Sequence, residues 1–221
     1  MDNDPDRTWF YQLAKGQVFG GFTRDRSLAG MEFEQIAQTV ADQLAKRNMH
    51  PHEDLKQGDF FIVIHWGSTE PEEDFEDLFP GTFGEDELED LASMQQLMDD
   101  MNISKAQLNA SLTGFDKALN NKSTPWEEQE LRMQLKDERY FIVVNAFDYQ
   151  LMLETGEIKL LWSTKMSTRS PGTNFRYASA DMAKAATGYF GKNMEDLVKE
   201  RAGADTSEVI IGDIEVIETE N

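Results

Sequence analysis

The chain has no cysteine in its 221 residues. That excludes disulfides, thiolate nucleophiles, iron–sulfur clusters and cysteine zinc sites. Histidine is scarce, with 3 in the whole chain, and no apolar run approaches the ~18 residues of a transmembrane helix. Bases are outnumbered: 21 Lys and Arg stand against 42 Asp and Glu, a net charge of -21. A field of that sign repels phosphates and disfavours nonspecific binding to nucleic acid or an anionic membrane, so no nucleic-acid partner is expected. The usual local signatures are missing too: no G-x-S-x-G, P-loop, G-x-G-x-x-G, H-E-x-x-H or EF-hand loop.

What is present reads as one α+β domain over residues 1–221. Asp59 to Trp66 and Tyr140 to Tyr149 are nearly continuous apolar runs, as central strands covered on both faces require. Glu157 to Ser167 alternates, with Ile158, Leu160, Trp162, Thr164 and Met166 on one face and Lys159, Ser163 and Lys165 on the other. The turn signal Glu154-Thr155-Gly156-Glu157 joins these last two strands into a long antiparallel hairpin. Thr8–Leu13 and Val209–Ile217 read as further strands. Phe33, Ile36, Val40 and Leu44 recur at helical spacing over Met31–Arg47, and Met182, Ala185, Ala186 and Phe190 do so over Ser179–Phe190. After Gly191, Met194, Leu197 and Val198 predict another helical turn or two. The expected architecture is two-layer, a mostly antiparallel sheet with helices packed on one face.

Residues 68–138 interrupt this pattern as a helical acidic insertion, expected to be separable from the sheet. Between Gln57 and Ser104 there are 14 acids and no Lys or Arg. Ser104-Lys105-Ala106-Gln107 has the form of a capping box, with Leu108, Leu112, Phe115 and Leu119 inside the helix it starts. Thr124-Pro125-Trp126-Glu127 predicts another helix with proline in its first turn. The run Glu70–Asp77 lacks the ligand spacing and turn glycine of a calcium loop, so no metal site and no cofactor is expected.

Two constellations carry chemistry. His65 ends a strand and, with Asp148 and Ser167, follows the His, Asp, Ser chain order of one class of serine hydrolase. The bland reading is an imidazole bonded to backbone, and it is preferred. His50 and His52, with Pro51 between them, belong to a polar loop. The second constellation is basic: residues 158–180 hold Lys159, Lys165, Arg169 and Arg176 and no acid. The hydroxyl-rich loop 167–174 within it could hold a small anion through Arg169, Arg176, Ser167 and Thr173. The competing reading is charge compensation against the acidic insertion.

Certain segments also show a family likeness. They are Thr8-Trp9-Phe10-Tyr11, a helix ending Leu44-Ala45-Lys46-Arg47-Asn48-Met49, a strand opening Gly58-Asp59-Phe60-Phe61-Ile62-Val63, and a hairpin with Asp148 before its turn and Leu160-Leu161-Trp162 after it. Over about half its length the chain resembles uncharacterised bacterial envelope lipoproteins. That family has no established activity, so the resemblance implies an envelope or periplasmic location and no catalytic residues. The acidic, turn-forming Met1–Asp6 has neither the basic nor the apolar part of a secretion signal. The expectation is periplasmic or envelope if a signal was removed and cytoplasmic otherwise. Function is expected to be non-catalytic binding or interaction, with a small anion or a basic protein as partner. The alternatives are a hydrolase using His65, Asp148 and Ser167, and an acidic decoy for a basic protein.

Overall fold

The computed structural model describes residues 7–20, 26–71, 103–120, 124–192, 194, 197–202 and 207–212. In chain order these form β1 (Trp9–Phe19), α1 (Arg26–Ala29), α2 (Phe33–Leu44) continued by a 3-10 turn (Ala45–Arg47), β2 (Met49–Pro51), β3 (Phe60–Ser68), α3 (103–113), α4 (Phe115–Asn120), α5 (Pro125–Lys136), β4 (Arg139–Asp148), α6 (Tyr149–Thr155), β5 (Leu160–Arg169), α7 (Phe175–Ala186), β6 (Val198–Ala202) and β7 (Ser207–Gly212). The strands make one sheet in the order β2-β1-β3-β4-β5-β7-β6. β1 pairs in parallel with β2 and β3, and every other neighbouring pair is antiparallel. The chain is α+β with a mostly antiparallel sheet.

The main core lies between one sheet face and helices α2 and α7. Phe60, Ile62, Ile64 and Trp66 of β3 and Tyr140, Ile142, Val144 and Ala146 of β4 meet Ile36, Val40 and Leu44 of α2 and Phe175, Met182 and Ala186 of α7. Two-residue strand alternation meets the helical stripe, so both helices settle on this face. Aromatic pairs fill it: Trp9 stacks on Phe60 at 5.2 Å between centroids, and Tyr140 meets Phe175 edge-on at 5.3 Å.

The other face carries a partial third layer. Ile210 of β7 lies between Val209 and Ile211, which belong to the main core, so alternation turns it the opposite way. There it packs with Ala110 of α3, Phe115 of α4 and Leu135 of α5. The described helices of the insertion are therefore docked on the sheet and not separable from it. Their cover explains why β4 is buried on both sides from Arg139 to Val144, while the odd-numbered residues 61–65 of β3 are only half-buried.

Several local expectations change. The hairpin exists, but α6 joins its strands. Asp148 caps that helix by accepting from Leu151 N at 3.0 Å, and Gly156 ends it at φ 76°. The turn signal at Gly156 was thus the end of a helix. β5 begins at Leu160 and continues to Arg169, past the expected start of the loop. α7 starts at Phe175, capped by Asn174. Val198 opens a strand and not a helical turn. His50 sits in the short strand β2, and the Gln12 amide pins the following loop through the carbonyls of His52, Asp54 and Gln57. Leu108 is 51% exposed, and Gly114 breaks the expected helix into α3 and α4. The acidic run from residue 72 to 102 and the chain beyond 212 lie outside the described residues.

Gly114 is where the insertion touches down. Its φ is 85°, and a Cβ added there would meet the Gly212 Cα at 3.0 Å and the Lys165 Cβ at 3.4 Å. Gly156 has a similar φ of 76° and open space around it. Both alanine substitutions strain the backbone, but only Gly114→Ala also pushes α3 and α4 off the sheet. Urea denaturation should show Gly156→Ala losing about 1 kcal/mol and Gly114→Ala losing about 2–3 kcal/mol. Equal losses would mean that the close approach to β7 carries no weight.

Candidate functional site

The hydrolase candidates are not brought together. His65 is opposite Val143 on β4, whereas Asp148 is opposite Phe60 at the far end of β3. Five residues of strand separate them, roughly 16 Å. Ser167 pairs with Phe141, which pairs with Gly67, so two strand spacings, roughly 10 Å, lie between Ser167 and β3. Asp148 is occupied as the cap of α6, and the Ser167 hydroxyl accepts from Arg139 Nε at 3.3 Å.

His65 has a local task. β1 is irregular between Lys15 and Val18, and the imidazole fills that irregularity. A Cβ at Gly16 would lie 2.7 Å from the His65 ring, and Gln17 N donates to His65 Nδ1 at 3.0 Å. Burial lowers the pKa of the imidazole, and the bond from Gln17 needs Nδ1 unprotonated.

The anion candidates divide. β5 runs through Arg169, which points to the insertion side and pairs with Asp137 at 3.0 Å. Thr173 stands beside it on the 170–174 loop. Arg176 is exposed on the first turn of α7, the helix that covers the opposite face of the sheet. Ser167 is fully buried. Thus Arg169 and Thr173 share one cleft, Ser167 lies sealed beneath its floor, and Arg176 stands outside it. The compensation reading also has substance, since Lys165 reaches Asp116 of α4 at 3.3 Å. Both paired bases find acids of the insertion.

The cleft opens between α5, the ends of β4, β5 and β7, and the Pro171-Gly172 turn, with a volume of about 660 Å³. The residue that dominates it is Arg139, which was not singled out in the sequence. Arg139 is 2% exposed. Its guanidinium lies over the Phe115 ring, 5.3 Å from Cζ to centroid, and donates to Ser167 Oγ at 3.3 Å and Ser167 O at 3.5 Å. Those two long bonds use a fraction of its five N–H donors. Among the described residues no carboxylate lies within ion-pair distance of it, although Arg169 directly opposite on β5 has Asp137. Burial therefore pulls its pKa down to about 10; nearby Glu208 and Asp137 oppose that shift, and Arg169 adds to it. A displacement of that size corresponds to a folding cost on the order of 3 kcal/mol while the group is charged.

Two further features belong to this cleft. Gln134 of α5 donates through Nε2 to Glu130 Oε1 at 3.4 Å, and its Oε1 is buried without a partner. Glu130 and Glu208 share a single ammonium, Lys199 Nζ, at 3.1 Å and 4.0 Å. The other orphaned buried atoms among the described residues, on Tyr11, Trp66, Ser68 and Trp162, lie away from the cleft. Among the described residues no group of three or more His, Asp or Glu is placed to hold a metal. Likewise, no described helix is long and apolar enough to cross a membrane. The chain matches no protein-family model, no curated protein and no solved structure.

The His65 geometry makes a pH prediction. Its folded pKa lies below the ordinary value of 6.5, so the unfolded chain binds the proton more readily. The stability it contributes is complete above about pH 6.5 and is lost as pH falls toward the folded pKa. Unfolding free energies from pH 8 to 5 should fall on the acid side, and His65→Gln should flatten that part of the profile. An unchanged slope in the variant would remove His65 from the titration.

Proposed function

We propose that this protein is a non-catalytic binding domain that holds a small anion at Arg139, with Arg169 and Thr173 at the rim of the cleft. The observation that carries the reading is a charged guanidinium that is 2% exposed, faces a cleft and has no carboxylate counter-ion among the described residues. A buried unpaired charge weakens the fold, and a charge-assisted bond to a ligand carboxylate or phosphate offsets that loss only when the ligand is present. The guanidinium is pre-organised by Phe115 and Ser167, so little side-chain entropy is lost on binding. The envelope or periplasmic location implied by the resemblance is part of this proposal. The decoy alternative rests on the acids between Gln57 and Ser104, most of which lie outside the described residues.

The test is a thermal-shift and calorimetry series with small carboxylates and inorganic phosphate, on the full chain and on Arg139→Met. Millimolar anion should raise the melting temperature of the full chain and leave the variant unmoved. Arg139→Met should itself be as stable as the parent or more so, because an apolar side chain replaces an unpaired buried charge. Absence of any shift across the series, or equal shifts in both proteins, overturns the proposal.

A further inference from the structure

The cleft around Arg139 contains more than an anion needs. Its second unmet group is an acceptor: Gln134 Oε1 is buried and has no donor. The amide is oriented by its Nε2, which is turned to Glu130 Oε1 at 3.4 Å, and swapping the two ends would set oxygen against carboxylate. An N–H or O–H donor is what that oxygen needs. The charges of the cleft carry the same message independently. Asp137 is matched by Arg169 at 3.0 Å. Glu130 and Glu208, both half-exposed, reach Lys199, and Arg201 stands opposite Glu208 on β6. Carboxylates therefore gather on the α5–β7 side of the cleft, across from the guanidinium of Arg139. A simple anion would meet these carboxylates, and a simple cation would meet the guanidinium. Apolar wall comes from Met133 and Pro171, and a volume of about 660 Å³ exceeds what a bare ion requires.

Resting on the anion reading above, we infer that the ligand is a small zwitterion, a free amino acid with an aliphatic side chain. Its carboxylate lies on Arg139. Its ammonium is shared by Gln134 Oε1 and the Glu130–Glu208 pair, and its side chain lies along Met133. The carboxylate then meets a guanidinium with no counter-ion among the described residues, and the ammonium meets the Gln134 acceptor beside two half-exposed carboxylates.

Isothermal titration of the full-length chain with three probes of equal chain length separates the possibilities. Hexanoate carries the carboxylate alone, hexylamine the ammonium alone, and L-norleucine both. Norleucine should bind about tenfold or more tightly than hexanoate, the value of one charge-assisted hydrogen bond, and hexylamine should not bind. Gln134→Met and Glu208→Gln should each bring norleucine down toward hexanoate without weakening hexanoate itself. Hexanoate binding as tightly as norleucine would overturn the zwitterion and leave the anion site standing. Failure of both acids to bind would remove the anion site as well.

Discussion

From Arg139 to Val144 strand β4 has water excluded from both of its faces, and most of the architecture follows from how that is done. One face of the strand is closed by α2 and α7 through Tyr140, Ile142, Val144 and Ala146. The other presents Phe141 and Val143 and would be open without the helices delivered by the β3–β4 connection. Four apolar side chains buried there, Phe115, Phe141, Val143 and Ile210, are each worth roughly 1.5–3 kcal/mol. That sum exceeds the order of 3 kcal/mol attached to one desolvated guanidinium. The insertion therefore docks even though it traps charge beneath it.

Two bases are trapped, and the fold treats them differently. Lys165 and Arg139 lie on the same sheet face, and each is 2% exposed. Lys165 is answered by Asp116, an acid of the covering helix itself. Arg139 is answered by a hydroxyl, a carbonyl and the face of Phe115. Its cross-strand neighbour Arg169 takes the nearest carboxylate, Asp137. Two like charges directly opposite each other on adjacent strands are unfavourable, and one counter-ion serves only one of them. The residual charge at Arg139 is thus a consequence of register, and it marks the cleft.

Residues that look chemical in the sequence prove to be structural, for related reasons. His65 occupies the space left by Gly16 where β1 bulges, and it receives a backbone N–H there. Asp148 caps α6. Ser167 accepts from Arg139 and is closed from solvent. A strand end or a turn needs local hydrogen-bond partners as much as a reaction does. Residue type alone does not separate the two uses.

Much of the fold was legible in local pattern. The helical stripe of Phe33, Ile36, Val40 and Leu44 and the apolar run from Tyr140 to Val144 depend on neighbours a few residues away, which the sequence displays directly. The composition likewise determined that no thiol or disulfide chemistry takes place here. Register, docking and partner choice were decided only by the tertiary structure. The alternation of β5 showed that Ser163 and Lys165 share a face, but not that this face would be covered by α3 to α5. Arg139 reads in sequence as an ordinary charged residue at a strand end, where such side chains usually reach water. Its burial depends on Phe115, its register opposite Arg169 and the position of Asp137. Those contacts join segments far apart in the chain, and no short window of residues encodes the distance between them.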